Sequence, residues 1–258
     1  MAYFERLGEQ RFTATELAGG AWNPEEQHIA PMMGLMTHLT ELDHVPRDPE
    51  KLMLPGRISV EILGTLSFEP FDIEVEVTRP GRTIELIEAV CIQIGRPAVR
   101  VRTWFLKKGE TETIAGTEFP EIPGPSDDAL PGLGIGWSGG FAGSIVGRRE
   151  QTAPGRGFAW WSTEVPLLKE EDTSNLAMYM GLVDFANGIA VRADPKEVIF
   201  PNLDLTAHFF RLPEGKWVGA DTSVSFGASG IGLTNSVLHD EFGPIGTCSQ
   251  VLTVRPMQ

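Results

Sequence analysis

Two hydrophobic periods alternate along this chain. Apolar residues at Met32, Leu35, Met36, Leu39 and Leu42, with Pro31 at the opening, predict a helix from about Pro31 that Pro46 and Pro49 end. From Arg57 the period drops to two. Arg57 to Leu63 and Asp72 to Thr78 alternate cleanly, Arg79-Pro80-Gly81-Arg82 has the composition of a hairpin turn, and Thr83 to Gln93 and Ala98 to Lys107 predict two more strands. A shorter run at Arg11 to Thr15, closed by Gly19-Gly20, predicts an opening strand and turn.

The second half carries the same order. Phe158 to Val165 predicts a strand. The run from Asn175 to Val191 is almost continuously apolar, and Asp172, Thr173 and Ser174 stand before it as candidate N-caps. It predicts a helix buried on most sides, with one ionisable group, Asp184, near its middle. Asn202 to Phe210, Trp217 to Phe226, Ile231 to His239 and Gly246 to Val254 then predict strands.

The halves register. Met33-Gly34-Leu35 and Met180-Gly181-Leu182 match at an offset of 147, as do Pro97 and Pro244, and Arg57 matches Asn202 at 145. Between the halves, Pro120, Pro123, Pro125 and Pro131 precede a glycine-rich stretch, Gly132 to Gly140, which lacks the lysine and strand-to-helix setting of a phosphate loop. The expected division is a first unit at 1–115, a Pro/Gly-rich linker at 116–157 and a second unit at 158–258.

A carboxylate buried without partners is destabilising by several kcal/mol, so Asp184 needs donors or a chemical role. Composition narrows the choice of role. A formal net charge of -14 argues against nucleic acid as a partner. A local arginine cluster could still meet an anionic small molecule, and Arg148-Arg149 or Arg96, Arg100 and Arg102 are the candidates. No apolar run reaches bilayer length, and Met-Ala-Tyr-Phe-Glu-Arg shows no secretion signal. Two cysteines, Cys91 and Cys248, form neither a disulfide framework nor a zinc site by themselves, so a reducing, cytoplasmic setting is expected.

Helix and strands in this order, twice, resemble a double hot dog: an α+β fold of two tandem units, each a central helix wrapped by a curved antiparallel sheet. The second half also resembles the acyl-CoA thioesterase II family, through Leu182-Val183-Asp184, Asn202 to Arg211 and Ser249 to Arg255. That resemblance implies hydrolysis of an acyl-CoA thioester by water, without metal or organic cofactor, in a protein that pairs as a homodimer. In the family an aspartate on the second helix, a hydroxyl residue on the next strand and a glutamine on the last strand hold the water. These positions fall on Asp184, Asn202 and Gln250, and the amide of Asn202 departs from the pattern.

The chemistry suits these residue types. Burial raises a carboxyl pKa toward that of a useful base, and amides can fix a water. Backbone N–H groups at the start of the first helix, His28 to Pro31, could polarise the carbonyl, which makes His28, Ile29 and Ala30 candidate substrate contacts beside Arg148 and Arg149. The first half has Thr37 and Thr103 where the second has Asp184 and Gln250, so one complete site per chain is expected. Two other readings stay open. One is an acyl-CoA or acyl-group binding protein without catalysis. The other is a hydratase-type lyase, which would want a paired aspartate and histidine; Asp204 and His208 share a strand face instead.

Overall fold

The computed structural model describes residues 1–257 apart from 126, 127, 132 and 134–136. Four of the nine residues of the predicted glycine-rich stretch, 132 and 134–136, therefore lie outside the described residues. The chain runs β1 (Phe4–Arg6), β2 (Arg11–Ala14), α1 (Ile29–His44), β3 (Met53–Ile62), β4 (Phe71–Arg79), β5 (Ile84–Gln93) and β6 (Arg96–Lys107). It continues with β7 (Leu130–Pro131), α2 (Gly140–Ser144), β8 (Ile145–Ala153), β9 (Arg156–Thr163) and α3 (Asn175–Val183). It closes with β10 (Val198–Ile199), β11 (Asp204–Phe209), β12 (Val218–Phe226), β13 (Ile231–Asp240), β14 (Gly243–Thr253) and β15 (Arg255–Pro256).

Thirteen of these strands form one antiparallel sheet in the order β1-β2-β4-β5-β6-β3-β11-β14-β13-β12-β9-β8-β7. Strands of the first half make one flank and strands of the second half the other. They meet where β3 pairs β11, with Val60 opposite Leu205 and Ile58 opposite Ala207. Alternation decides the faces. Ile58, Val60, Leu205 and Ala207 turn inward and are buried, while Ser59, Glu61, Asp204 and Thr206 turn outward. Inside the curved sheet lie α1 and α3, which pack against each other as in a hot dog. Enclosure explains why α1 is apolar on nearly every side, a pattern that a surface helix would not tolerate.

Three boundaries differ from the sequence expectation. The first helix begins at Ile29, because the His28 ring accepts the Ala30 N–H at 3.1 Å and caps it. The second stops at Val183, and residues Asp184–Gly188 tighten into a 3-10 turn. Residues 116–157 are more than a linker: α2 and β8 lie within them, and β8 pairs along β9, Ile145 opposite Thr163. Proline and glycine earlier in that stretch hid a strand whose period is short and whose outward face is polar.

Candidate active site

Asp184 sits where α3 gives way to the 3-10 turn, is 3% exposed, and is met from two other elements. Asn202 lies just before β11, bridged to Leu252 of β14. Gln250 points inward from the middle of β14, opposite Thr234. Both amides donate to the same oxygen, Asp184 Oδ1: Asn202 Nδ2 at 2.6 Å and Gln250 Nε2 at 2.9 Å. Among the described residues nothing bonds Oδ2. Burial pushes the Asp184 carboxyl up to about 6, and the two amide bonds, which favour its charged form, pull the other way.

The two amides are not equivalent. Asn202 has used both its N–H donors: its Nδ2 also donates to the Asp204 carbonyl at 3.1 Å, while its Oδ1 accepts from Asn187 Nδ2 at 3.4 Å. Gln250 keeps one group free, since its Oε1 is buried with no hydrogen-bond partner among the described residues. An orphaned buried acceptor beside an ionisable carboxyl is a place for a water O–H.

A cavity of about 420 Å³ is lined by Asp184 and Asn202 of this cluster, and Gln250 is not among its lining residues. Its walls come from the segment before α1 (Ala21, Trp22, Glu26, His28), the end of β3 (Ile62) and the loop after it (Leu66), and Asp184, Asn187, Ile199, Asn202 and Met257. The lining is mostly apolar, with no lysine or arginine among the described residues. The His28 ring lies tilted against Phe141 with centroids 4.3 Å apart, and burial drops its pKa to about 3, so it is neutral. With Nδ1 accepting from Ala30, the neutral ring carries its proton on Nε2. Ala30 N–H is thereby used and Pro31 has none, which leaves the Ile29 N–H as the unengaged donor at the start of α1.

Comparison with known proteins gives this geometry a family. A model of the acyl-CoA thioesterase C-terminal domain matches residues 116–254, and one of the N-terminal domain matches residues 19–106. The chain belongs to the acyl-CoA thioesterase family. It is thus a thioester hydrolase by class. Solved structures agree on the fold. A hot-dog protein of unknown function from Alicyclobacillus acidocaldarius superposes with a TM-score of 0.73 at 14% identity, covering 98% of this chain and 96% of that one. An acyl-CoA thioesterase II from Mycobacterium marinum gives 0.68 at 16% identity, covering 99% and 95%. The tesB protein of Mycobacterium avium subspecies paratuberculosis gives 0.66 at 17%, covering 98% and 96%. No curated protein sequence matches this chain.

For this thioesterase, the structure brings together Asp184, Asn202 and Gln250, with His28 and Ile29 on the cavity wall. It does not bring the other expected contacts there. Ala30 is fully buried behind the wall. Arg148 and Arg149, expected as phosphate contacts, stand on β8 away from the cavity lining: Arg148 pairs with Asp128, and Arg149 donates to Gln151 Oε1 and the Ile189 carbonyl. Their strand pairs on the flank of the sheet, which sequence spacing could not reveal. His208 is exposed on the outer face and Asp204 Oδ1 accepts the Val251 N–H, so the pair a hydratase would need is absent from the cavity. In the first half, Thr103 bonds Thr40 at 3.1 Å and Thr37 is buried, with no carboxyl at either position.

Trp22, Asn187 and Met257 are wall residues that sequence reasoning missed. Asn187, three residues after Asp184 in a turn rich in short polar and glycine residues, had a signal in retrospect; Met257 had none. Among the described residues no helix is long and apolar enough to cross a membrane, and no three His, Cys, Asp or Glu side chains are placed to hold a metal ion.

Proposed function

We propose that this thioesterase hydrolyses acyl-CoA with Asp184 as general base. The observation that carries the reading is Asp184 in the wall of an apolar cavity, its Oδ2 unbonded among the described residues, with an unpartnered acceptor, Oε1, on the same Gln250 that donates to its Oδ1. A water held by Gln250 Oε1 gives a proton to Asp184 Oδ2 as its oxygen attacks the thioester carbonyl carbon. The developing oxyanion takes the Ile29 N–H at the positive end of α1. Collapse breaks the carbon–sulfur bond, and the leaving thiolate recovers the proton from Asp184, so acid and thiol depart and the carboxylate is restored. A base pushed up to about 6 is ionised at neutral pH yet basic enough to be useful.

Asn202 acts differently from the water-holding role its position implies. Both N–H groups of its amide are used within the protein, so as a donor it positions Asp184 through Oδ1. The scaffold reading extends to two tandem hot-dog units, 1–115 and 158–258, with 116–157 joining them and lending β8 to the second. A homodimer in a reducing cytoplasm completes the proposal, consistent with Cys91 and Cys248, both buried and free.

Release of free CoA thiol from a panel of straight-chain acyl-CoAs by wild type and Asp184→Asn tests it. Hydrolysis by wild type and its loss in the variant are expected. Equal rates in the two would remove Asp184 from the chemistry, and binding without hydrolysis by wild type would favour a binding protein.

A further inference from the structure

Beside the main cavity is a second, small one of about 20 Å³, lined by Ala21, Trp22, His28, Trp137, Asn187 and Gly188 among others. Four of these residues, Ala21, Trp22, His28 and Asn187, line the main cavity as well, so the small space adjoins the large one. It is wide enough for one water or one substituent oxygen. In its wall stands Trp137, whose Nε1 is buried with no hydrogen-bond partner among the described residues. The ring is fixed edge-on against Trp22 at 5.1 Å, and a Cβ at Gly188 would come within 3.1 Å of Nε1. Gly188 closes the same turn that carries Asp184. An indole N–H only donates, so what belongs opposite it is an acceptor.

We infer that Trp137 reads a neutral, hydrogen-bond-accepting oxygen on the acyl group, a hydroxyl or keto oxygen within a few bonds of the thioester. This rests on the reading of the cavity as the site of thioester hydrolysis. A buried donor left unpaired penalises a substrate that lacks the oxygen, whereas an apolar wall would merely ignore it. Neutrality follows from the walls. Neither cavity has a lysine or arginine among its described lining residues, and Glu26 stands in the main one, so an acyl carboxylate would meet repulsion. Sequence spacing gave no hint of this role, because Trp137 meets Gly188, at the far end of the turn that begins at Asp184, only through the return of the chain between α2 and α3.

The test compares unsubstituted, 3-hydroxy-, 3-oxo- and ω-carboxy-acyl-CoAs of matched length, with wild type, Trp137→Phe and Gly188→Ala. Trp137→Phe keeps an aromatic ring and removes only the donor; Gly188→Ala fills the space in front of it. Wild type is expected to favour one of the neutral oxygenated substrates over the plain one by about tenfold in kcat/KM, with both variants losing that ratio. Calorimetric binding of the corresponding non-hydrolysable CoA thioethers reads the same ratio without chemistry. A binding preference that vanishes in Trp137→Phe upholds the inference even if no substrate is hydrolysed, in which case only the hydrolase reading falls. An unchanged ratio in Trp137→Phe, a wild-type preference for the plain or ω-carboxy chain, or no binding of any thioether overturns it.

Discussion

Gly34 of α1 and Gly181 of α3 are the point at which the two helices touch: a Cβ on Gly34 would fall 2.8 Å from the Gly181 Cα and 2.7 Å from the Ala177 carbonyl oxygen. The same two residues are partners in the 147-residue offset between the halves. A residue and its copy in contact place an approximate two-fold relation between the helices at this crossing. Backbone atoms cannot step aside as a flexible side chain does. Gly34→Ala is therefore expected to destabilise by about 3 kcal/mol. Gly181→Ala, whose Cβ would press on the movable Leu167 side chain at 3.0 Å, is expected to be milder. Urea unfolding of both variants checks the order; equal effects would mean that the helices separate easily.

Asp184→Asn should lose activity and gain stability. Removing a general base lowers kcat by about 10²–10⁴-fold. The folded carboxyl is held at about 6 against an ordinary value of 3.8, so its ionised form is the disfavoured one in the fold. That penalty is absent below the unfolded value, grows as pH rises through this window, and is full above about 6, where it amounts to roughly 3 kcal/mol. Thermal unfolding at pH 8 and pH 4 is the measurement. A gain at pH 8 that disappears at pH 4 is expected, and a loss at pH 8 would contradict the burial argument.

Activity should rise with pH through about 6 and then level off, because the base must be ionised. Asn202→Ala removes one of the two bonds that favour the ionised form. Its acid limb is expected to move to higher pH, with a smaller loss at pH 9 than at pH 6. A uniform loss at every pH would instead give Asn202 a direct hold on water or substrate.

Ser174 joins the start of α3 to α1: its hydroxyl accepts the Ala177 N–H at 3.0 Å and donates to Glu41 Oε2 at 2.6 Å. Ser174→Ala should destabilise by about 1 kcal/mol through the lost cap. Burial raises the Glu41 carboxyl to about 7, opposed by the Ser174 bond. The deficit should therefore be larger at pH 8.5, where Glu41 is ionised and needs the donor, than at pH 5.5. Denaturant midpoints at the two values decide it.

Arg148→Ala should leave kcat/KM for acyl-CoA within about twofold, since its partner Asp128 is exposed and surface ion pairs contribute little. A tenfold rise in KM would return this arginine to the substrate.

The sequence by itself determined the repeating order of helix and strands and singled out Asp184, because period and burial are written locally: alternation sets a strand's faces, and an isolated acid in an apolar run has few explanations. The resemblance added Asn202 and Gln250. Which oxygen each amide meets follows from the tertiary packing, for Asn202 comes from the segment before β11 and Gln250 from β14, both converging on one atom, and the second Asn202 N–H is used by the Asp204 carbonyl. The removal of Arg148 and Arg149 from the cavity and the approach of Trp137 to the turn at Gly188 have the same origin. They are set by how β8 and the segment before it lie against the sheet, a long-range matter of strand pairing that no local spacing encodes.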